Sequence, residues 1–511
     1  MTEPSAVFVQ ASPSDGLTTT VRTGATWSAA GIDVTWSDGT IEVTAKTVSR
    51  VALRWSERLP AEALILGDAW ERSYGDLQWR HQQPERLLPW YFLVHDPRTG
   101  TTTGAGVDVQ PNAFCAWTVD ADGFTLWLDL HNGGGPTYLN GRTLTAATVR
   151  RFEDAGTPWQ TLHAAVASMS TRLPARPEPA PVVGANNWYY AYGENFDEKA
   201  VLKDAGTIVE LADGHPVKPF SVVDDGWYPG GIASGGPWDS GTPGVFDDMA
   251  GTAAAIKAIG ARPGLWFRPL RVREPAGALD PSSPEVLDLV RTDLQRFKGW
   301  GFELVKHDFS TYDTFGRWGP SMVSGLTDSG RTFHDNSRTS AEIVLAFYRE
   351  IRAAADDVVL IGCNTVGHLA AGLVDVQRTG DDTSGRDWER TRKMGVNTLA
   401  FRLPQHNRFF TVDADCVPCT PRTPWELNAR FLDLVARSGT ALFVSIDPTA
   451  RTERSDQALS DGIRLALSGG DASGLEPVDW LVNTTPNAWR AGGGTIHYDW
   501  SRPWGADPIA D

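Results

Sequence analysis

Carboxylates after two apolar runs, Asp308 after one and Asp381 with Asp382 after the other, each close to a cation in sequence, are the residues of this 511-residue chain best placed to do chemistry. Asp308 follows the run Phe302-Glu303-Leu304-Val305 and lies two residues after Lys306. Asp382 follows Leu373-Val374-Asp375-Val376-Gln377 and lies four residues after Arg378, with Asp381 beside it. A neighbouring cation holds a carboxylate ionised, and an ionised carboxylate with no proton to give suits a nucleophile. A partner carboxyl on a second strand end completes the pair that glycoside hydrolysis requires. Plainer readings exist for both: a structural ion pair at Lys306 and Asp308, and a surface salt bridge or helix cap around Arg378.

Such residues need elements to position them. From about Val182 the chain repeats an apolar run, a polar loop and a helical stretch, with strands expected near Val182, Phe220, Arg262, Glu303, Val358, Leu373, Arg408 and Ala441. Helices are expected over Phe246–Ile259, Pro284–Lys298, Ser340–Ala355, Arg386–Ala400 and Pro424–Ala436. Eight such units in about 290 residues match a (β/α)8 barrel, whose catalytic groups collect at the C-terminal ends of its strands. Those ends carry Asn186-Asn187-Trp188, Asp224-Asp225-Gly226-Trp227, Trp266-Phe267-Arg268-Pro269, Lys306-His307-Asp308, Cys363-Asn364 and Arg378-Thr379-Gly380-Asp381-Asp382. Asp224 and Asp225 could each accept hydroxyl groups of a sugar, with a tryptophan wall beside them.

Ahead of the barrel, short alternating runs such as Ile32-Asp33-Val34-Thr35-Trp36, punctuated by Gly and Asp, read as an antiparallel β-sandwich over residues 1–178. The Pro-rich stretch 174–181 marks the boundary to a barrel over 179–468, and 469–511 reads as a short C-terminal β region. A doubly wound sheet is the competing architecture, but no Gly-rich phosphate loop supports it.

Composition narrows the partners. A net charge of −17 argues against nucleic acid. No apolar run is long enough for a membrane span and no signal peptide opens the chain, so a cytoplasmic protein is expected. Four cysteines do not make a disulfide framework, and Cys416 and Cys419 form a lone pair at CxxC spacing without companions for a metal site. No metal or organic cofactor is expected, and assembly as a homo-oligomer is left open. The 21 tryptophans fit a small-molecule carbohydrate substrate, since aromatic faces stack on sugar rings, although core packing accounts for many of them.

Taken together, these strand ends resemble the melibiase-type α-galactosidases, retaining (β/α)8 enzymes with an N-terminal β-sandwich. The likeness runs from Gly67-Asp68-Ala69-Trp70-Glu71-Arg72 through the barrel. It implies that Asp308 is the nucleophile and Asp382 the acid/base, with Asp381, one residue off the spacing, the second choice. It further implies that Asp224 and Asp225 hold the 4- and 6-hydroxyls of a terminal galactose. Lys306 and Arg378 would contact neighbouring hydroxyls, Cys363 would line the floor near the 2-position, and Trp188, with Trp227 and Trp266, would form apolar walls. The chain departs from the family at Arg268-Pro269-Leu270 and at Cys363-Asn364-Thr365. Those changes leave Asp308 and Asp382 in place but leave open another galacto-configured sugar (an α-N-acetylgalactosaminide or a β-L-arabinopyranoside) or galactosyl transfer; a non-catalytic sugar-binding protein is a separate alternative, which the presence of both carboxylates speaks against. As an acid, Asp382 is expected to have a raised pKa, while Asp381 stays ionised, paired with Arg378 or capping the helix near Arg386.

Overall fold

A computed structural model describes residues 2–174, 180–272, 277–322, 332–471 and 474–505. The Pro-rich stretch lies mostly outside the described residues. Alternation of buried and exposed positions, as in Ile32–Ser37 and Thr40–Ala45, lays down two antiparallel sheets over residues 6–152. One has six strands and runs, edge to edge, through 88–89, 114–120, 123–129, 50–56, 6–10 and 18–19. The other has nine strands, with Thr143–Phe152 between Thr40–Ala45 and Thr102–Val107. Trp36, Trp55, Trp117 and Phe124 pack edge to face and stacked at centroid separations of 5.5–6.0 Å. One element within 1–178 departs from the all-β expectation: Pro158–Met169 is a helix, started by a Thr157–Gln160 capping box with proline at its first turn.

The parallel strands of the barrel are Val183–Asn186, Phe220–Val223, Arg262–Phe267, Leu304–His307, Val359–Gly362, Val376–Arg378, Thr411–Asp413 and Leu442–Ile446. Each pairs in parallel with the next through Thr411–Asp413, and Leu442–Ile446 pairs with the first. A parallel bridge from Asp413 to Ala441 closes the ring. Their near-continuous burial is the signature of strands covered on both faces. Two expected starts shift by three residues, the sixth strand beginning at Val376 rather than Leu373 and the seventh at Thr411 rather than Arg408, and the other six lie within one residue.

The seventh strand is broken. Asp415 sits at φ +73°, and the chain resumes as Val417–Cys419, which pairs with the eighth strand instead of the sixth. The helix expected over Arg386–Ala400 is also interrupted, with a π-type turn at Arg392–Val396 between Trp388–Thr391 and Asn397–Arg402. Glu198–Ala212 and Glu453–Leu467 are helices the expected set lacks. Beyond residue 469, three short antiparallel strands form one sheet.

The sandwich docks on the end of the sixth barrel strand. The Ser73 amide donates to Thr379 O at 2.8 Å, and Ser73 O accepts from the Asp381 amide at 2.8 Å. A buried ion pair, Arg402 to Asp68 at 2.8 Å, pins the same contact, and Gln405 donates to the second Asp68 oxygen.

Candidate functional site

Alternation along the fourth strand sends Lys306 and Asp308 to one side and His307 to the other. His307 is buried against Phe347 and Tyr348, and burial pushes its pKa down to about 4. Asp308 is buried and its carboxylate is met by donors on both oxygens. Oδ2 accepts from Trp266 Nε1 at 2.9 Å, and Oδ1 accepts from the Phe309 amide at 2.7 Å and from the Asn364 side-chain amide. Phe309 and Asn364 both adopt left-handed backbone, at φ +62° and +51°, to turn these groups toward the carboxylate. Burial alone would raise the Asp308 pKa. Lys306, the Asn364 and Trp266 hydrogen bonds and Arg72 outweigh it and hold the group below the usual carboxylate range.

Beside it, Lys306 Nζ donates to Asp224 Oδ2 at 2.8 Å, and Asn186 Nδ2 donates to the same oxygen at 2.5 Å. Asp225 has a different environment. It accepts from Tyr228 Oη at 2.7 Å, and burial, together with the charges of Asp224 and Asp308, pushes its pKa up to about 7. The turn that separates these two carboxylates from Trp227 depends on Gly226. Its φ is +113°, and a Cβ there would lie 2.8 Å from Gly193 O.

The opposite wall comes from the sixth strand end. Gly380 is needed for close approach, since a Cβ would lie 2.7 Å from Met394 O. Beyond it, Asp382 Oδ1 accepts from Arg378 Nη2 at 3.0 Å and from Arg72 Nη1 at 2.9 Å. Arg72 Nη1 also lies 2.9 Å from Asp381 Oδ1, and Arg390 pairs with Asp381 Oδ2 at 2.5 Å. Arg378 is buried and is matched from below by Asp415 at 2.9 Å. Asp415 reaches that position through the break in the seventh strand, where it also accepts from Tyr189 Oη and from Thr383 N and Oγ1.

All of this surrounds one cavity of about 310 Å³ at the C-terminal mouth of the barrel. Of the residues singled out in the sequence, Asp224, Asp225, Lys306, Asp308, Asp382, Trp188 and Trp266 line it, as does Asp381. Trp227 does not. It is wholly buried behind the wall, its Nε1 donating to Trp266 O at 3.0 Å and its ring set edge-on to Phe297 and Trp300. Its own strand end is occupied by the two aspartates, and the ring turns into the core after Gly226. Cys363 and Arg378 lie under the floor instead of facing the cavity, with Arg378 Nη1 3.8 Å from Cys363 Sγ.

Two electrostatic expectations need correction. Partial burial would raise the Asp382 pKa, but Arg72, Arg378 and Lys306 outweigh it and hold the group well below the usual carboxylate range. Asp381 is paired with Arg72 and Arg390, not Arg378, and the following helix is capped by Asp387. Arg72, which arrives from the sandwich, contributes to both. Tyr74, Trp318, Asn364 and Arg390 also line the cavity without having been singled out as binding residues. Arg268, the departure at the third strand, forms a two-pronged pair with Asp313 at 2.8 and 2.5 Å and lies over Phe309 at 4.0 Å. Cys416 and Cys419 are buried free thiols, and among the described residues no group of three or more His, Cys, Asp or Glu is arranged to hold a metal. No helix among the described residues is long and apolar enough to cross a membrane.

No family model matches the chain. Several solved structures do. An α-galactosidase from Thermus thermophilus, in complex with p-nitrophenyl α-D-galactopyranoside, superposes at a TM-score of 0.62 with 17% identity, over 93% of this chain and 97% of that one. The chain shares its fold. A variant α-galactosidase from Geobacillus stearothermophilus bound to 1-deoxygalactonojirimycin gives a TM-score of 0.59 at 15% identity, over 91% of this chain and 72% of that one. An α-galactosidase from Lactobacillus brevis gives 0.59 at 16%, over 96% and 72%.

Proposed function

We propose that this protein is a retaining glycosidase that removes terminal α-linked galactose or a close galacto-configured sugar. The observation that carries the reading is the contrast between two carboxylates lining one cavity. Asp308 is buried, ionised and fixed by three donors, while the Asp382 side chain stands 39% exposed at the rim where a leaving group would pass. The first suits attack on an anomeric carbon and the second suits proton exchange with the leaving oxygen and then with water. Structural neighbours that are α-galactosidases support the sugar.

In the first step an Asp308 oxygen forms a bond to the anomeric carbon as the glycosidic bond breaks. The departing oxygen takes its proton from Asp382 in the protonated form, the form that Arg72 and Arg378 disfavour. In the second step Asp382 takes a proton from water, whose oxygen attacks the same carbon and releases Asp308. Asp224, held by Lys306 and Asn186, and Asp225 offer acceptors for hydroxyls of the bound sugar. A pKa near neutrality also lets Asp225 donate a hydrogen bond, so it can serve a hydroxyl in either sense. Trp188 and Trp266 supply apolar faces.

The test is hydrolysis of p-nitrophenyl α-D-galactopyranoside followed by NMR. The α-anomer of galactose should appear first. A β-anomer formed first would mean inversion, and absence of turnover across α-galactoside, α-N-acetylgalactosaminide and β-L-arabinopyranoside substrates would remove the reading.

A further inference from the structure

A second cavity, of about 720 Å³, lies between the sandwich and the segment around Gly319, and it shares Arg72 and Tyr74 with the first. Arg72 is the residue that touches Asp382, so the shared wall stands on the side where the proposed leaving oxygen departs. The volume falls in the range of ligand pockets, and half-buried Trp127 offers an aromatic face.

Four arginines and the carboxylates Asp68, Asp76, Glu85 and Asp129 line the cavity, and two of the arginines, Arg80 and Arg86, have no ion-pair partner among the described residues. Arg86 donates to Ile65 O at 3.2 Å and to Gln78 O at 3.3 Å, both neutral carbonyls. Arg80 is served by the Gln78 side-chain oxygen once that amide is oriented to accept, at 2.8 Å to its Nε. Among the described residues neither guanidinium forms an ion pair within 4.0 Å. Asp76 attracts Arg86 only through space, and its carboxylate is engaged by the Tyr74 amide at 2.9 Å. Burial and the neighbouring Arg80 push the Arg86 pKa down to about 10, the signature of a cation short of counter-charge. Other arginines of this chain are matched bidentately, Arg150 to Asp108 at 2.7 and 2.8 Å and Arg268 to Asp313 at 2.8 and 2.5 Å. Guanidiniums that lack a counter-ion are a usual means of recognising carboxylate or phosphate.

We propose that the larger cavity receives the leaving-group portion of the substrate and that Arg80 and Arg86 bind an anionic group, phosphate or carboxylate, carried on it. This rests on the glycosidase reading for its kinetic consequence but not for the anion site itself, and two measurements separate them. Calorimetric titration of the intact protein with glycerol 3-phosphate, glucuronate and neutral glycerol reads the site directly. The phosphate or the carboxylate should bind while glycerol does not, and the anion that binds tighter identifies the source. Arg80→Gln together with Arg86→Gln should weaken that binding by about tenfold or more, the worth of a charged hydrogen bond. Arg86→Lys, which keeps the charge, should retain most of it. Binding of neither anion, or equal binding by the glutamine variant, would overturn the anion site.

The second measurement compares α-galactosyl glycerol with its phosphate ester. The ester should have the higher kcat/KM, through a lower KM, in the native protein. The two should become equal in the glutamine variant, with p-nitrophenyl α-galactoside turnover unchanged. Equal rates in the native protein would show that the cavity does not serve the leaving group. Failure to cleave any galactoside would instead remove the glycosidase reading, while the titration would still decide the anion site.

Discussion

Replacing Arg72 with glutamine should move the pH profile of this protein upward, and the size of the move follows from the geometry. Proton donation requires Asp382 to be protonated, yet Arg72 and Arg378 both favour its ionised form. Two unit charges about 4 Å apart attract by about 4 kcal/mol at an effective dielectric of about 20. The Asp382 side chain is 39% exposed and Arg72 divides its attraction with Asp381, so screening reduces this to about 1–2 kcal/mol. At about 1.4 kcal/mol per pH unit, Arg72→Gln should raise the Asp382 pKa by about one unit. The alkaline limb of kcat/KM reports the acid of the free enzyme, and loss of the depressing charge moves it to higher pH. The acidic limb, set by Asp308, should move less, because Lys306 and two hydrogen bonds are larger influences there than Arg72. The assay is kcat/KM for an α-galactosyl oligosaccharide and for dinitrophenyl α-galactoside across the acid-to-neutral range. Only the oligosaccharide should show the displaced alkaline limb, since dinitrophenolate departs without a proton. Arg72→Lys keeps the charge and should leave the profile near its original place. An unmoved limb in Arg72→Gln, or one displaced to lower pH, would refute the assignment of Arg72 as the residue that sets the protonation of the acid.

Asp308→Asn should abolish turnover while circular dichroism stays unchanged, because the amide cannot form the glycosyl ester; a tenth of the native rate would move the nucleophile elsewhere. Asp382→Ala should slow natural oligosaccharides far more than dinitrophenyl α-galactoside, whereas Asp381→Ala should slow both about equally, and the reverse pattern would exchange their roles. Arg402→Ala leaves Asp68 buried without its cation, and should cost about 3–5 kcal/mol, read as a lower denaturant midpoint; a loss below about 1 kcal/mol would mean that the sandwich contact is not held by this pair.

The parts of the site that were legible are those where one strand carries its own message. Apolar runs ending in Asp224, Lys306, Asp308 and Asp382 could be read because burial and the strand-end rule act locally. The missing parts depend on contacts between distant segments or on backbone that residue type does not announce. Arg72 is 310 residues from the carboxylate it holds, so nothing near Asp382 revealed that its pKa would be depressed. Asp415 depends on a strand break at a left-handed position, and aspartate gives only a weak hint of that. Trp227 looked like a wall because it follows two aspartates, but the positive φ of Gly226 redirects the chain and sends the ring into the core. The helix Pro158–Met169 carries a clear start signal in Thr157, Pro158 and Gln160, which the surrounding strand pattern obscured.

The reach of Arg72 across the chain bears on biosynthesis. A ribosome adds about 5–20 residues per second, so roughly 15–60 s separate the synthesis of Arg72 from that of Asp382. Throughout that interval the sandwich has its strands but lacks the partners for Arg72 and Asp68, both of which are buried in the finished protein. The docking face of the nascent sandwich must therefore stay hydrated until the sixth barrel strand and the helix bearing Arg402 emerge. Completion of the cavity is thereby tied to the late part of translation, and a chain stalled before Arg378 would leave Arg72 and Asp68 without these partners.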